Sequence, residues 1–195
     1  WMRLRSSAAV AFSVDANNCF KLADSISCDR FRVTSYYLKY PRFIHSELLT
    51  HRLFSRNSSS SRAVPTMKFL WRILKDPAGP THWGENGKGM ASKRQVGPVR
   101  KALAKAIWRT ASLFAVVIAF LLYKLGIHKQ VANRLLEPFL WMETVLTSET
   151  EGLENFFQQR CSPNAQPEMQ ALADHVDEQR ARLDRLFHLA AVQGH

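Results

Sequence analysis

The histidines are the first residues to consider for acid–base or metal chemistry, and the sequence contains seven of them. His175 and Glu178 lie one helical turn apart beside Asp174, which would place them on one face of a helix. A catalytic metal normally has three protein ligands, so we interpret this group as a solvated helix face. His128 stands alone beyond an apolar segment, and one such histidine gives little support for haem ligation. The sequence predicts no metal site.

The glycine-rich segment before residue 90 is a candidate phosphate-binding loop, because glycine loops can hold phosphate groups. A nucleotide loop requires G-x-x-x-x-G-K-[ST], in which backbone amides and the lysine meet the phosphates. Gly79 and Gly84 have the first spacing, but Glu85 stands where lysine is needed. The later pair Gly87-Lys88 has no hydroxyl residue after it. Neither G-x-S-x-G nor H-E-x-x-H occurs, so the sequence predicts a linker, no cofactor and no enzyme.

The three cysteines also indicate no chemistry. Cys19 and Cys28 are separated by eight residues, and Cys161 stands alone. Without a C-x-x-C pair, the sequence predicts neither a structural zinc site nor a disulfide framework.

The element that would position the rest of the chain is the apolar segment Ala106–Ile127. Its uncharged centre, Thr110–Tyr123, would rise about 21 Å as a helix, which is shorter than the roughly 30 Å hydrocarbon core of a bilayer. Long basic side chains at both ends can extend toward lipid headgroups, and the segment has no polar face. We therefore predict one transmembrane helix, with a buried helix of a soluble core as the alternative. The predicted lipid-headgroup and interface residues are Arg100, Lys101, Lys105, Trp108, Arg109, Tyr123 and Lys124.

Small residues recur every four positions within this helix, at Ala111, Ala115 and Ala119. Such a ridge allows another helix to approach closely in a membrane. We predict a helix-docking ridge, although alanine is also simply common in apolar helices.

Charge is distributed unevenly about the apolar segment. The chain carries a net charge of +14 up to Arg109 and of −3 from Thr110 onward. Close to the segment, six basic residues lie on the N-terminal side and three on the C-terminal side: Lys93, Arg94, Arg100, Lys101, Lys105 and Arg109 against Lys124, Lys129 and Arg134. The positive-inside rule, which counts basic residues near a span, then predicts that the N-terminal side faces the mitochondrial matrix and that the C-terminal region lies in the intermembrane space. The basic cluster could bind an anionic lipid such as cardiolipin, or could act only as a topology determinant.

Residues 1–66 have the composition of a transit peptide. They contain eight arginines and twelve serines but only four acidic residues, and this arginine-rich, serine-rich and acid-poor composition is typical of organelle targeting. Translation would begin at Met2 or Met67. The alternative is a retained basic arm that extends along a large assembly.

Helices are predicted for most of the remaining chain. Residues 67–75 form a short basic amphipathic element, and a helix begins at about Pro98. Helical structure continues to residue 160 with a kink at Pro138, and a last amphipathic helix begins at Pro167. Its apolar positions predict a seam for a partner helix, or for packing on its own chain: Met169, Leu172, Val176, Leu183 and Leu186.

Together these features predict an all-α membrane protein with a single transmembrane helix. The predicted segments are a targeting-like or basic arm (1–66), an amphipathic element with a linker (67–97), the juxtamembrane and transmembrane helix (98–127), kinked helices (128–160) and the C-terminal helix (161–195). The predicted function is a non-catalytic accessory subunit of a respiratory or ATP-synthase complex of the mitochondrial inner membrane.

The expected partners are other subunits of that membrane complex, with no small-molecule substrate and no nucleic acid. Two alternatives stay open, a membrane-tethered protein that binds RNA or ribosomes, and a transient assembly or import factor. The thylakoid is an alternative location, because transit peptides of different organelles overlap in composition.

Overall fold

The computed structural model describes residues 19–26, 32–88, 92 and 94–193, so the predicted start at Met2 lies outside the described residues. The chain folds around a four-stranded antiparallel sheet that is covered by helices, and the all-α prediction is wrong. The order across the sheet is β1-β2-β4-β3. The strands are β1 (Phe20–Ile26), β2 (Arg32–Pro41), β3 (Ser55–Ser58) and β4 (Trp141–Glu149).

The two central strands show the alternation that a half-buried strand requires. In β2, Tyr36 and Tyr40 point into the core, and in β4 their partners Leu146 and Met142 do the same. Residues between them, such as Tyr37, lie on the opposite, more exposed face. Three strands come from residues 20–58, which we had interpreted as part of a targeting-like arm, and the fourth comes from a segment predicted to be helical.

The helices occur between and after these strands. They are α1 (His45–Leu48, after a 3₁₀ turn at Arg42–Ile44), α2 (Thr66–Lys75), α3 (Pro98–Lys124), α4 (Lys129–Ala132, followed by a 3₁₀ turn at Asn133–Phe139), α5 (Thr150–Arg160) and α6 (Pro167–Gln193). The α3 and α6 helices begin at the two prolines that the sequence indicated.

The main core lies between the sheet and helices α5 and α6. Leu153 and Phe156 of α5 pack there with the inward side chains of β2 and β4. The first three residues of the predicted partner-helix seam, Met169, Leu172 and Val176, are buried in this same core. The side chains of Leu183 and Leu186 lie outside the described residues.

A second core forms where α3 packs against α2 and the 3₁₀ turn before β4. Its buried members from α3 are Val116 and Ala119, and Trp108 is partly buried against it. The guanidinium of Arg109 donates hydrogen bonds to the carbonyl oxygens of Ile73 (3.0 Å) and Leu74 (2.6 Å), at the end of α2. The α3 helix is therefore fixed to the rest of the chain along one side.

This packing corrects the prediction of a single-span architecture. By length and composition alone, α3 could cross a membrane, since its most apolar 18-residue window has a mean hydropathy of 1.9 and only 17% of that window is buried. However, α3 forms one flank of an α+β unit. The segment is apolar on all sides because α3 buries small and apolar residues on one face and carries large apolar residues on its exposed face.

Candidate functional site

The segment from His51 to Arg62 carries most of the chemistry that the fold assembles. It leaves α1, forms the edge strand β3, and ends before α2. Its side chains point in two directions, because His51 and Phe54 are buried and Arg56 and Ser58 are half-buried. The polar side chains on the other side are exposed, and these are Arg52, Ser55, Asn57, Ser60 and Arg62.

The buried imidazole of His51 is held by an arginine from α5. Arg160 donates through Nε to Nε2 of His51 at 2.9 Å and through Nη2 to the Thr50 hydroxyl at 3.2 Å, and its Nη1 forms an ion pair with Glu47. Burial, and then the nearby cations Arg160 and Arg56, lower the pKa of His51 to about 4. A neutral imidazole that accepts at Nε2 carries its proton on Nδ1. The hydrogen bond from Arg160 Nε thus requires an imidazole that is unprotonated at Nε2, in agreement with the lowered pKa.

A chain of hydroxyl groups anchors the far end of β3. Ser58 Oγ is hydrogen-bonded to Thr144 Oγ1 at 2.8 Å, and Thr144 is bonded in turn to the Tyr40 hydroxyl at 2.8 Å. The Tyr40 hydroxyl also contacts Nδ1 of His45 at 2.8 Å. Burial raises the pKa of Tyr40 to about 12, so the phenol stays protonated at neutral pH. This network holds β3 against β4 through a side chain on the inner face of β3. The outward side chains of β3 take no part in it.

The serine-rich loop after β3 is held by residues that follow α4. The Asn133 amide donates to the carbonyl oxygens of Ser61 at 2.7 Å and of Val64 at 3.0 Å. Ser61 Oγ donates to the Glu137 carboxylate at 2.8 Å, and Arg42 donates to the same carboxylate oxygen at 3.1 Å. Both sets of contacts hold the side of the loop that faces the protein. The side chains of Ser60 and Arg62 are therefore exposed to solvent.

An open pocket of about 330 Å³ lies beside β3. Ser55 and Thr147 contribute hydroxyl groups to it, Glu149 and Glu151 contribute carboxylates, and Val33, Leu53, Ser148 and Gly152 complete its lining. Its volume falls within the roughly 300–1,000 Å³ of small-molecule sites. The pocket and the serine-rich loop are thus connected through one strand.

The exposed arginines and serines of the segment from His51 to Arg62 suit an anionic ligand, whereas the carboxylates of Glu149 and Glu151 disfavour an anion inside the pocket itself. Guanidinium groups bind phosphate through charge-assisted and often bidentate hydrogen bonds, and serine hydroxyls add further donors. Within residues 19–26, 32–88, 92 and 94–193, no three histidine, cysteine or acidic side chains are grouped as metal ligands would be. The groups that the segment offers to solvent are hydrogen-bond donors, hydrogen-bond acceptors and charges.

The sequence-predicted site residues lie elsewhere in the fold. In the docking ridge, Ala119 is buried and Ala115 half-buried against the second core of the same chain, whereas Ala111 is exposed. Among the predicted interface residues, Trp108 donates through Nε1 to the Ala78 carbonyl at 3.0 Å. Arg109, also in α3, donates to carbonyl oxygens at the end of α2. The others are half-buried (Lys101) or exposed (Arg100, Lys105, Tyr123 and Lys124).

Sequence reasoning missed the segment from His51 to Arg62. The signal that could have found it is its density of arginine and serine over twelve positions, together with an alternation of period two in its centre. The same arginine-rich and serine-rich composition is typical of a transit peptide, which hides this signal.

Comparison with known proteins identifies the family. A family profile described as "Thymidylate synthase complementing protein" matches residues 30–183. The fold resembles the UMP/dUMP methylase PolB from Streptomyces cacaoi bound with 5-Br dUMP, with a TM-score of 0.59 and 18% identity over 78% of this chain and 67% of that one. It also resembles the flavin-dependent thymidylate synthase ThyX from Helicobacter pylori complexed with FAD and dUMP, with a TM-score of 0.55 and 19% identity over 76% of this chain and 67% of that one. No curated protein matches the sequence.

These findings correct the functional predictions. The accessory-subunit role, with its respiratory-chain and ATP-synthase associations, is wrong, because the family match spans most of the chain. The predicted mitochondrial inner-membrane location and membrane-complex partners depended on that role and are wrong with it. The expectation of no enzyme and no small-molecule substrate is also overturned, because the family is one of thymidylate synthases and both similar structures hold nucleotides. From residue 30 to residue 183, the chain belongs to the thymidylate synthase complementing protein family.

Proposed function

We propose that this protein methylates the uracil ring of dUMP with the help of a flavin cofactor. The family match over residues 30–183 is the observation that carries this proposal. The two similar structures support it, because one holds 5-Br dUMP and the other holds FAD and dUMP. The product would be dTMP, which differs from dUMP by one methyl group on the ring.

The serine-rich loop is the best candidate for the nucleotide phosphate. Ser60 and Arg62 are exposed there, while the loop backbone is fixed from behind by Asn133 and Glu137. A fixed backbone lowers the entropy cost of ordering a binding loop. Arg62 would supply the charge and Ser60 a neutral donor, a combination that suits a terminal phosphate.

The outward face of β3 and the polar lining of the adjoining pocket would hold the larger cofactor, whose phosphates would have to lie outside the pocket because Glu149 and Glu151 line it. Arg52 provides a cation for its phosphates, and Ser55, Asn57 and Thr147 provide donors and acceptors for a polar ring. When bound, a flavin supplies hydride-transfer chemistry. The residues of this chain would bind and orient it, and the neutral, buried His51 would keep the strand that carries them in place.

The proposal is tested by titrating the purified chain with dUMP and with FAD and by measuring dTMP formation in the presence of a one-carbon donor and a reductant. Replacing Arg62 by alanine removes a charge-assisted contact worth about 1.5–3 kcal/mol, which corresponds to roughly 10-fold to 150-fold weaker dUMP binding. Arg52→Ala should weaken FAD binding by a similar factor.

The control is Arg100→Ala, which removes an exposed arginine at the start of α3 and should leave both affinities unchanged. A folded wild-type chain that binds neither dUMP nor FAD would overturn the proposal. Equal loss of affinity in the control variant would show that the effect of Arg62 is only one of overall charge.

A further inference from the structure

A continuous chain of hydroxyl groups runs through the main core from the end of β3 to a histidine in α1. Ser58 Oγ and Thr144 Oγ1 are 2.8 Å apart. The Tyr40 hydroxyl is 2.8 Å from Thr144 Oγ1 on one side and 2.8 Å from Nδ1 of His45 on the other. These distances are those of well-formed hydrogen bonds. We call these four residues the hydroxyl relay.

The two ends of the hydroxyl relay reach solvent, and its middle does not. Thr144 and Tyr40 are each 1% exposed, whereas Ser58 and His45 are half-buried. Ser58 is the last residue of β3 and stands two positions before Ser60 of the serine-rich loop. One end of the relay therefore lies at the candidate site, and the other end lies at α1.

Every link of the relay can pass a proton in the same direction. A hydroxyl group donates one hydrogen bond while it accepts another, so each of the three hydroxyls can accept from the group before it and donate to the next. A neutral imidazole has one unprotonated nitrogen, and Nδ1 of His45 can accept from Tyr40. A proton that reaches Ser58 can then appear on His45 while every hydroxyl keeps one proton. No phenolate is needed, in agreement with the pKa of Tyr40, which burial raises to about 12.

We propose that the hydroxyl relay carries the proton that dUMP loses on methylation from the candidate site to solvent. This inference rests on the proposed function. The product dTMP carries a methyl group where dUMP carries a hydrogen on ring carbon C5, so that C5–H bond must break. Its electron pair stays in the ring, and its proton passes to Ser58 directly or through a bound water. The one-carbon donor and the reductant supply the carbon and the electrons of the new methyl group.

His45 is suited to accept this proton and to release it. Burial, and then the nearby cations Arg42 and Arg56, lower the pKa of His45 below its usual value of 6.5. The imidazole is therefore neutral at neutral pH and can accept at Nδ1, and the two cations favour the loss of an added proton. Because the ring is half-buried, water can receive that proton.

A second tyrosine of β2 shows that burial alone does not require such a chain. Tyr36 lies on the same inward face as Tyr40, four residues earlier, and is also 1% exposed. Its hydroxyl has no hydrogen-bond partner in the described structure. The bond between Ser58 and Thr144 is sufficient to join β3 to β4, whereas the continuation through Tyr40 to an ionisable group is what a proton path requires.

The first test compares Tyr40→Phe with the matched control Tyr36→Phe. Each change removes one hydroxyl from a buried tyrosine of β2, but only Tyr40→Phe interrupts the relay. Positioned proton transfer contributes about 10²–10⁴-fold to a rate, and water can replace a part of it, so kcat for dTMP formation should fall about 10-fold to 100-fold in Tyr40→Phe. The dissociation constant for dUMP should not change. Tyr36→Phe should keep the wild-type kcat, and thermal unfolding would verify that both variants are folded.

The second test separates proton transfer from structural support. Glutamine at position 45 can accept the hydrogen bond of the Tyr40 hydroxyl but cannot take up its proton. His45→Gln should therefore keep the wild-type dUMP affinity and thermal stability and lose kcat as Tyr40→Phe does.

The pH dependence of the rate gives an independent readout. In the wild type, kcat should fall as pH decreases below 6.5, because protonated His45 no longer accepts at Nδ1. This part of the pH profile should be absent in His45→Gln and in Tyr40→Phe. Nitrogen NMR of the wild-type chain, without substrate or cofactor, should show that Nδ1 of His45 is unprotonated at neutral pH.

The outcomes distinguish the relay from the proposed function. A wild-type chain that forms no dTMP overturns both. If the wild type forms dTMP, an unchanged kcat in Tyr40→Phe or in His45→Gln overturns the relay alone, and so does a proton on Nδ1 of His45. An equal loss of kcat in Tyr36→Phe would assign the effect to core packing and would also overturn the relay. If Tyr40→Phe does not fold, His45→Gln and the nitrogen NMR decide the question.

Discussion

Asn133 offers the sharpest test of how the serine-rich loop is held. Its side chain is 1% exposed and donates two hydrogen bonds, to the carbonyl oxygens of Ser61 and Val64. Its own amide oxygen has no hydrogen-bond partner in the described structure. In Asn133→Ala both carbonyl oxygens lose a donor, while the unpaired amide oxygen is also removed.

The magnitude follows from these contacts. A net contribution of about 0.5–1.5 kcal/mol for each hydrogen bond gives a loss of roughly 1–3 kcal/mol, and removing the unpaired oxygen offsets a part of it. We therefore expect the free energy of unfolding to fall by about 1–2 kcal/mol. Since the loop carries Ser60 and Arg62, dUMP binding should weaken as well, because some binding energy is then used to order the loop.

Urea denaturation gives the first quantity and calorimetric titration with dUMP gives the second. Gln130→Ala replaces an exposed amide on α4 and should change the free energy of unfolding by less than about 0.5 kcal/mol. A loss below that value in Asn133→Ala, or a large loss with unchanged dUMP affinity, would refute the reasoning that this amide organises the loop for binding.

Two further predictions concern the elements beneath the site. Because burial and Arg160 lower the pKa of His51 from 6.5 to about 4, protonation favours the unfolded chain between these values. The free energy of unfolding should decrease as pH falls from 6.5 to 4, and His51→Gln should lose that part of the slope in urea denaturation. A Cβ at Gly152 would stand 2.2 Å from Ser148 Oγ and 3.2 Å from Leu53 Cβ, so Gly152→Ala should destabilise the fold by about 1–3 kcal/mol. Adding Ser148→Ala should restore part of that loss in thermal unfolding, and an unchanged midpoint for Gly152→Ala would contradict the prediction.

Local signals in the sequence were sufficient for several helices. The prolines at positions 98 and 167 mark the starts of α3 and α6, since proline suits the first turn of a helix. The basic amphipathic element 67–75 coincides closely with α2. These features depend on residues near one another in the chain, which is why a pattern could identify them.

The strands were missed because composition and helical spacing were given more weight than alternation. In β4, Met142, Thr144 and Leu146 point inward at every second position, but Leu135, Leu136, Leu140 and Met142 also fit one side of a helix. The residues of β2 lie within residues 1–66, whose arginine-rich and serine-rich composition indicates a transit peptide instead of a strand. Register with strands more than 100 residues away decides both cases, and that pairing leaves no local signal.

The candidate site could not be predicted for the same reason. Arg160 meets His51, and Asn133 meets Ser61, only after the sheet has formed. The membrane interpretation of α3 was wrong for another reason. Mean hydropathy averages over all faces of a helix, whereas α3 packs one face against the second core and leaves the other face exposed.

In the segment from His51 to Arg62, the residues that stabilise the fold are different from the residues that face solvent, and this affects which substitutions the protein can tolerate. Its inward residues maintain the fold through contacts with α5, α1 and β4, and its outward residues contribute little to the core. Substitutions at Arg52, Ser55 or Asn57 can therefore alter which ligand is preferred without a matching loss of stability, a cost that often accompanies changes of function. Within this segment, substitutions can change the preferred ligand and the stability of the fold independently of each other.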